Sequence, residues 1–120
     1  MGSDYLFIYS GEDKTFLITV IDSAGNPTDL TPYTALEFEV KPQAGDPDPA
    51  LISKTLGSGL TLLAQTGDTL GQAHLKISSV DTVGQSGTFE CDLIGVDGAG
   101  DRQVLMPPSP FVIFNVVNQA

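Results

Sequence analysis

Tyr33-Thr34-Ala35-Leu36-Glu37-Phe38-Glu39-Val40-Lys41 is the stretch that decides the fold. Leu36, Phe38 and Val40 alternate with Ala35, Glu37, Glu39 and Lys41. Successive side chains of a strand point to opposite faces, so this pattern describes a strand with one face in a core and one in water.

The same grammar extends in both directions. Downstream, residues 42–49 form an acidic loop whose Pro42, Pro47 and Pro49 cannot donate to a sheet ladder. Residues 50–56 and 60–64 read as two short strands around the Gly57-Ser58-Gly59 bend, and Gly67-Asp68 offers a further turn. Residues 71–78 alternate again, with Ala73, Leu75 and Ile77 inward and Gln72, His74, Lys76 and Ser78 outward. Residues 79–85 are too short for a helix of their own, but Ser78 or Ser79 can cap a single turn containing Val80 and Val83. Residues 88–97 place Phe89, Cys91 and Leu93 inward, and Gly98-Ala99-Gly100-Asp101 closes a hairpin into a strand over 102–106. Pro107, Pro108 and Pro110 are expected to break the ladder before a last strand, 111–117, that is apolar on both faces.

Upstream, residues 4–10 read as a first strand and Gly11-Glu12-Asp13 as a turn. In residues 14–22, Phe16, Ile18 and Val20 share one face. Leu17, Thr19 and Ile21 on the other are apolar enough to predict a strand covered on both sides. Ser23-Ala24-Gly25-Asn26-Pro27-Thr28-Asp29 then gathers turn-forming residues, and the chain reverses there. Eight or nine short strands with regular turn signals and no sustained helical period predict an all-β fold. A sandwich is favoured over a closed barrel, whose linked tilt and shear require strands of more even length.

Composition sets the bounds. The 120 residues suit one domain, 1–120, and a hydrophobic fraction of 41% with 17% charged is that of a globular chain. Fifteen acidic against five basic residues give a formal net charge of −10, a field that repels nucleic-acid phosphates and anionic lipid. The same charge aids solubility and favours a basic partner. Residues 1–9 carry neither the basic nor the long apolar part of a secretory leader, and no apolar run reaches membrane-spanning length, so synthesis in a cytoplasm is expected. With Cys91 alone, an internal disulfide is impossible.

The inventory for chemistry is thin, and no enzyme, cofactor, catalytic residue or metal site is expected. His74 falls on an outward strand face, and Cys91 shares the inward face of Phe89 and Leu93. One histidine and one cysteine cannot make a zinc site. Asp22 with Asn26 and Asp29, Asp46 with Asp48, and Asp97 with Asp101 gather oxygens on short loops. None has the calcium-loop spacing, and Asp and Asn favour turns for their own backbone hydrogen bonds. Glu37 and Glu39 share a strand face as a hydrolase pair would, without aromatic walls to bind a sugar. Gly57-Ser58-Gly59 and Gly98-Ala99-Gly100 lack the lysine and following helix of a phosphate cradle.

Two resemblances arise from these segments. Gly87-Thr88-Phe89-Glu90-Cys91 resembles the end of an immunoglobulin domain, where an aromatic stands two places before the second cysteine. The partner cysteine and core tryptophan are missing, and Phe89 has no hydroxyl for the tyrosine corner. More broadly, Thr15-Phe16-Leu17-Ile18-Thr19-Val20-Ile21-Asp22, Gly25-Asn26-Pro27, Asp29-Leu30-Thr31 and Leu36-Glu37-Phe38-Glu39-Val40-Lys41-Pro42 are similar to immunoglobulin-like domains of tailed-bacteriophage virion proteins. Gly87 to Leu93, Gly100-Asp101-Arg102 and Phe111-Val112-Ile113 continue the likeness in the manner of the N-terminal domain of baseplate upper proteins.

The resemblance implies an immunoglobulin-like antiparallel β-sandwich that works in a virion, in a tail, baseplate, neck, fibre-adaptor or decoration role. It implies protein docking to other virion proteins as a homo- or hetero-oligomer, and the negative charge argues against a nucleic-acid or membrane partner. The terminal strands carry more apolar surface than one small core needs, so Tyr5, Phe7, Phe111, Ile113, Phe114 and Val116 are the candidate partner-binding residues. The competing arrangement is that the two terminal strands pair with each other. An alternative function is a carbohydrate-binding or adhesion module, for which the loops offer only Tyr33 as an aromatic platform.

Overall fold

A computed structural model describes residues 6–43 and 50–116. The described chain is nearly all β: β1 (Leu6–Tyr9), β2 (Lys14–Thr19), β3 (Tyr33–Lys41), β4 (Ile52–Leu56), β5 (Gly59–Leu62), β6 (Gln72–Ile77), β7 (Gly87–Asp97) and β8 (Arg102–Phe114). A 3-10 turn (Gly67–Thr69) precedes β6, and one helical turn, α1 (Ser79–Thr82), follows it. Most of the 42–49 loop lies outside the described residues.

The eight strands form one hydrogen-bonded sheet in the order β1-β8-β7-β3-β4-β5-β6-β2. Its two edges, β1 and β2, are consecutive in the chain and joined by only residues 10–13. A sheet with its edges tied so closely must turn back on itself, and it wraps around one core. Three hydrogen bonds hold the joint to α1. Ser10 Oγ donates to the Thr82 carbonyl at 2.9 Å, the Gly11 N–H donates to Thr82 Oγ1 at 2.9 Å, and the Ser79 N–H donates to Asp13 Oδ1 at 2.7 Å. Thr82 is fully buried, and a buried hydroxyl is tolerated because it is partnered. The expected cap is there as well: the Ser78 N–H donates to Asp81 Oδ2 at 2.8 Å, and the same oxygen lies 2.9 Å from Lys54 Nζ.

The alternating strands point as their sequences dictate. Leu36, Phe38 and Val40 from β3, Ala73, Leu75 and Ile77 from β6, and Cys91 and Leu93 from β7 are all in the core. Phe111 joins the layers, its ring centroid 6.2 Å from both Phe16 and Phe38.

Three expectations are corrected. β2 is not covered on both sides: among the described residues it is an edge strand paired only with β6, and Leu17 and Ile21 are 55% and 53% exposed. The prolines do not end a strand. β8 runs unbroken from Arg102 to Phe114: among the described residues β1 pairs with Phe111–Phe114, short of all three prolines, and against β7 Pro107 and Pro108 fall in a shift of register while Pro110 stands opposite Glu90. On the β1 side their missing N–H groups break no ladder bond among the described residues. Finally, the pairing is not wholly antiparallel. β4 and β5 meet in parallel around the 57–59 bend, and β1 lies parallel to β8. A longer parallel ladder needs a long crossover, which the rest of the fold supplies between β1 and β8; β4 and β5 share only the two register pairs Thr55–Gly59 and Leu56–Leu60 beside the bend.

Candidate functional site

The two terminal strands pair with each other. The register sets Leu6 against Phe111, Phe7 against Val112, Ile8 against Ile113 and Tyr9 against Phe114. Because side chains alternate, this pairing sorts the apolar residues of both strands into two sets. Ile8, Phe111 and Ile113 are at most 1% exposed and belong to the core. Phe111 and Ile113 are therefore packing residues with no surface to offer a partner, contrary to the reading of the sequence. Phe7 and Phe114 face outward, Val116 is half-buried just beyond β8, and Tyr5 lies outside the described residues.

The outward set is completed by Tyr9, which the sequence reading left out. Phe7, Tyr9 and Phe114 are 38%, 47% and 40% exposed and form a contiguous ring cluster. Centroids lie 5.8 Å apart for Phe7–Phe114, 5.7 Å for Tyr9–Phe114 and 6.2 Å for Phe7–Tyr9, the first and last edge-to-face. These separations lie within the favourable range for aromatic pairs, so the cluster is ordered by its own contacts. The signal that finds Tyr9 is the spacing of two between Phe7 and Tyr9, with Leu6 and Ile8 on the opposite face.

The backbone of β1 is occupied at the sheet edge. The Tyr9 N–H donates to Glu12 Oε1 at 3.0 Å, the Glu12 N–H donates to the Tyr9 carbonyl at 3.0 Å, and Lys14 Nζ donates to the Phe7 carbonyl at 3.0 Å. The same ammonium sits 4.1 Å from the centroid of the Phe7 ring. These groups take positions that an added strand would use, a common way of blunting an edge. What β1 presents to its surroundings is a face of side chains.

That face continues across the sheet and changes character. On β8 and the start of β7 it carries Pro110, Val112 and Thr88, with Thr88 opposite Val112 and Pro110 opposite Glu90. Beyond them it turns acidic. Lys41 pairs in register with Glu90, Glu39 with Asp92, and Glu37 with Ile94. Like charges directly opposite on a sheet are unfavourable, and here Glu39 faces Asp92. Partial burial pushes the Asp92 carboxyl above the usual aspartate range; Lys41 and Arg102 oppose that shift and Glu37 adds to it. Lys41 Nζ lies 3.6 Å from Glu39 and Arg102 lies 3.8 Å from Glu37.

The remaining candidate residues take local roles. His74 is exposed on the outer face of β6. Cys91 is buried, and burial together with Asp92 and Glu90 pushes its thiol up to about 12, so it stays protonated. Asp22 Oδ1 accepts from the Ala24 and Asn26 amides, and Asp97 Oδ1 from the Ala99 and Asp101 amides. Asp29 accepts from both the N–H and the hydroxyl of Thr31, bonds that hold its carboxyl below the usual range. Asp46 and Asp48 lie outside the described residues. Tyr33 Oη donates to Gln103 Oε1 at 2.6 Å. Among the described residues no three His, Cys, Asp or Glu side chains are grouped to hold a metal ion.

No family model matches this chain, and a search of the curated proteins returns no match.

Proposed function

We propose that this chain is a non-catalytic structural component of a tailed-bacteriophage virion that acts by docking to other virion proteins. The observation that carries the docking part is the exposed ring cluster of Phe7, Tyr9 and Phe114, held on paired terminal strands at the edge of the sheet. Exposed contiguous aromatic surface is what protein interfaces are enriched in. The virion part rests on the resemblance of the strand and turn segments to phage immunoglobulin-like domains. The strand order supports the immunoglobulin-like topology alone: β2 beside β6 beside β5, and β3 beside β7 beside β8, are the neighbour relations expected of such a domain.

The test is quantitative mass spectrometry of gradient-purified phage particles produced from the genome that encodes this chain. The chain should be present at a fixed ratio to the other virion proteins. Its absence from particles overturns the virion reading. Saturable binding on a glycan array, unaffected by Phe114→Ser, would favour a carbohydrate-binding module instead.

A further inference from the structure

We infer that the outer face of β1, β8, β7 and β3 is one two-part docking surface, whose partner is a protein segment carrying apolar side chains flanked by lysines or arginines. The inference deepens the docking reading above and rests on it.

Two halves of one face lead to this partner. Phe7, Tyr9, Pro110, Val112, Phe114 and Thr88 make an uncharged half, and Glu90, Asp92, Glu39 and Glu37 make an acidic half beside it. The junction is direct, since Pro110 stands opposite Glu90 in register. An apolar side chain of the partner would cover the rings, and cations further along an extended segment, two to three strands across from β1 and four residues along β7 from Thr88, would reach Asp92 and Glu39. The acidic half sets four carboxylates against two cations: Lys41 lies 3.6 Å from Glu39 and opposite Glu90, Arg102 lies 3.8 Å from Glu37, both also act on Asp92, and Asp92 faces Glu39 across the ladder. A partner cation would relieve that opposition, which is electrostatic complementarity of the kind that selects partners. A second copy of the chain fits poorly. A two-fold contact repeats the same acidic half on both sides, and each copy carries a net charge of −10. Strand addition at β1 is disfavoured too, because Glu12 and Lys14 hold its edge groups.

The probe is a short synthetic peptide alternating lysine with leucine or phenylalanine, titrated into isotope-labelled protein and followed by amide chemical shifts. Two control peptides replace lysine by glutamate, or the apolar residues by serine. The lysine/apolar peptide should shift amides of residues 7, 9, 39, 92, 112 and 114, and bind more weakly as salt rises. Tyr9→Ser with Phe114→Ser should weaken binding by about tenfold, the scale of losing interface anchors. Glu39→Gln with Asp92→Asn should weaken it several-fold and flatten the salt dependence. This second pair keeps the rings, so the inference stays testable if the serine variant unfolds.

Equal binding of the glutamate or the serine peptide overturns the inference, as does binding elsewhere or none. Concentration-dependent dimerisation that shifts the same amides would assign the face to a second copy and overturn it as well. The particle measurement is separate: presence in virions with no peptide binding defeats only the inference, and peptide binding without presence in virions defeats only the virion reading.

Discussion

Truncating Phe111 to alanine separates the two roles that the terminal strands combine. The ring is fully buried between Phe16 and Phe38, and removing a buried phenylalanine costs about 3–5 kcal/mol through lost transfer energy and the cavity left behind. Unfolding entropy near the midpoint is about 2.1 cal/mol/K per residue, which for 120 residues is about 0.25 kcal/mol/K. The expected fall in Tm is therefore about 12–20 °C. Phe114, three positions on, is 40% exposed, and its alanine variant loses surface ring contacts costing below about 1.5 kcal/mol, or less than about 6 °C. Calorimetry with urea titrations analysed as two-state transitions measures both. If Phe111→Ala lost no more stability than Phe114→Ala, the assignment of Phe111 to the core and Phe114 to the surface would be refuted.

Three further outcomes follow from the geometry. Gln65 accepts from the Leu30 and Gly71 amides and donates to the Leu63 and Gln72 carbonyls, so Gln65→Ala should cost about 2 kcal/mol and speed amide exchange at Leu30 and Gly71. Unchanged exchange there would count against this staple. A Cβ at Gly95 would stand 2.7 Å from Tyr33 Cδ1 and 2.8 Å from Leu105 Cδ1, so Gly95→Ala should destabilise by about 1–3 kcal/mol in thermal melts. Asp92→Asn should stabilise at neutral pH. The folded carboxyl titrates above its unfolded value, so the folded state holds a proton that the unfolded state has released, and stability falls as pH rises through that window. The gain should vanish below about pH 4, where the unfolded aspartate is protonated too; a gain independent of pH would show that the charge is not its source.

Local pattern carried much of the fold. β3, β6 and β7 alternate so cleanly that their core residues follow from strand geometry alone, and the turns at 23–25 and 98–101 are closed by Asp22 and Asp97 as their composition predicts. The failures share one cause. Whether a strand's second face is covered depends on its neighbours in the sheet, and those are distant in sequence. Leu17 and Ile21 read as buried because they are apolar, yet the topology puts β2 at an edge. The prolines of β8 read as a stop, yet among the described residues no strand pairs with them on the β1 side. Gln65 and Thr82 gave no signal, since their partners are far along the chain or belong to the backbone.

The candidate site divides in the same way. Apolar residues at both ends, the acidic excess and the poverty of catalytic side chains were readable from residue identities, which are chemistry without position. Which aromatic residues face outward was not. A run apolar on both faces has no alternation to orient it, and only the parallel register of β1 on β8 sends Phe111 and Ile113 into the core while gathering Phe7, Tyr9 and Phe114 outside. That the cluster shares one face with the Glu39 and Asp92 carboxylates likewise depends on strands β1, β8, β7 and β3 meeting in one sheet, a long-range arrangement that no local pattern encodes.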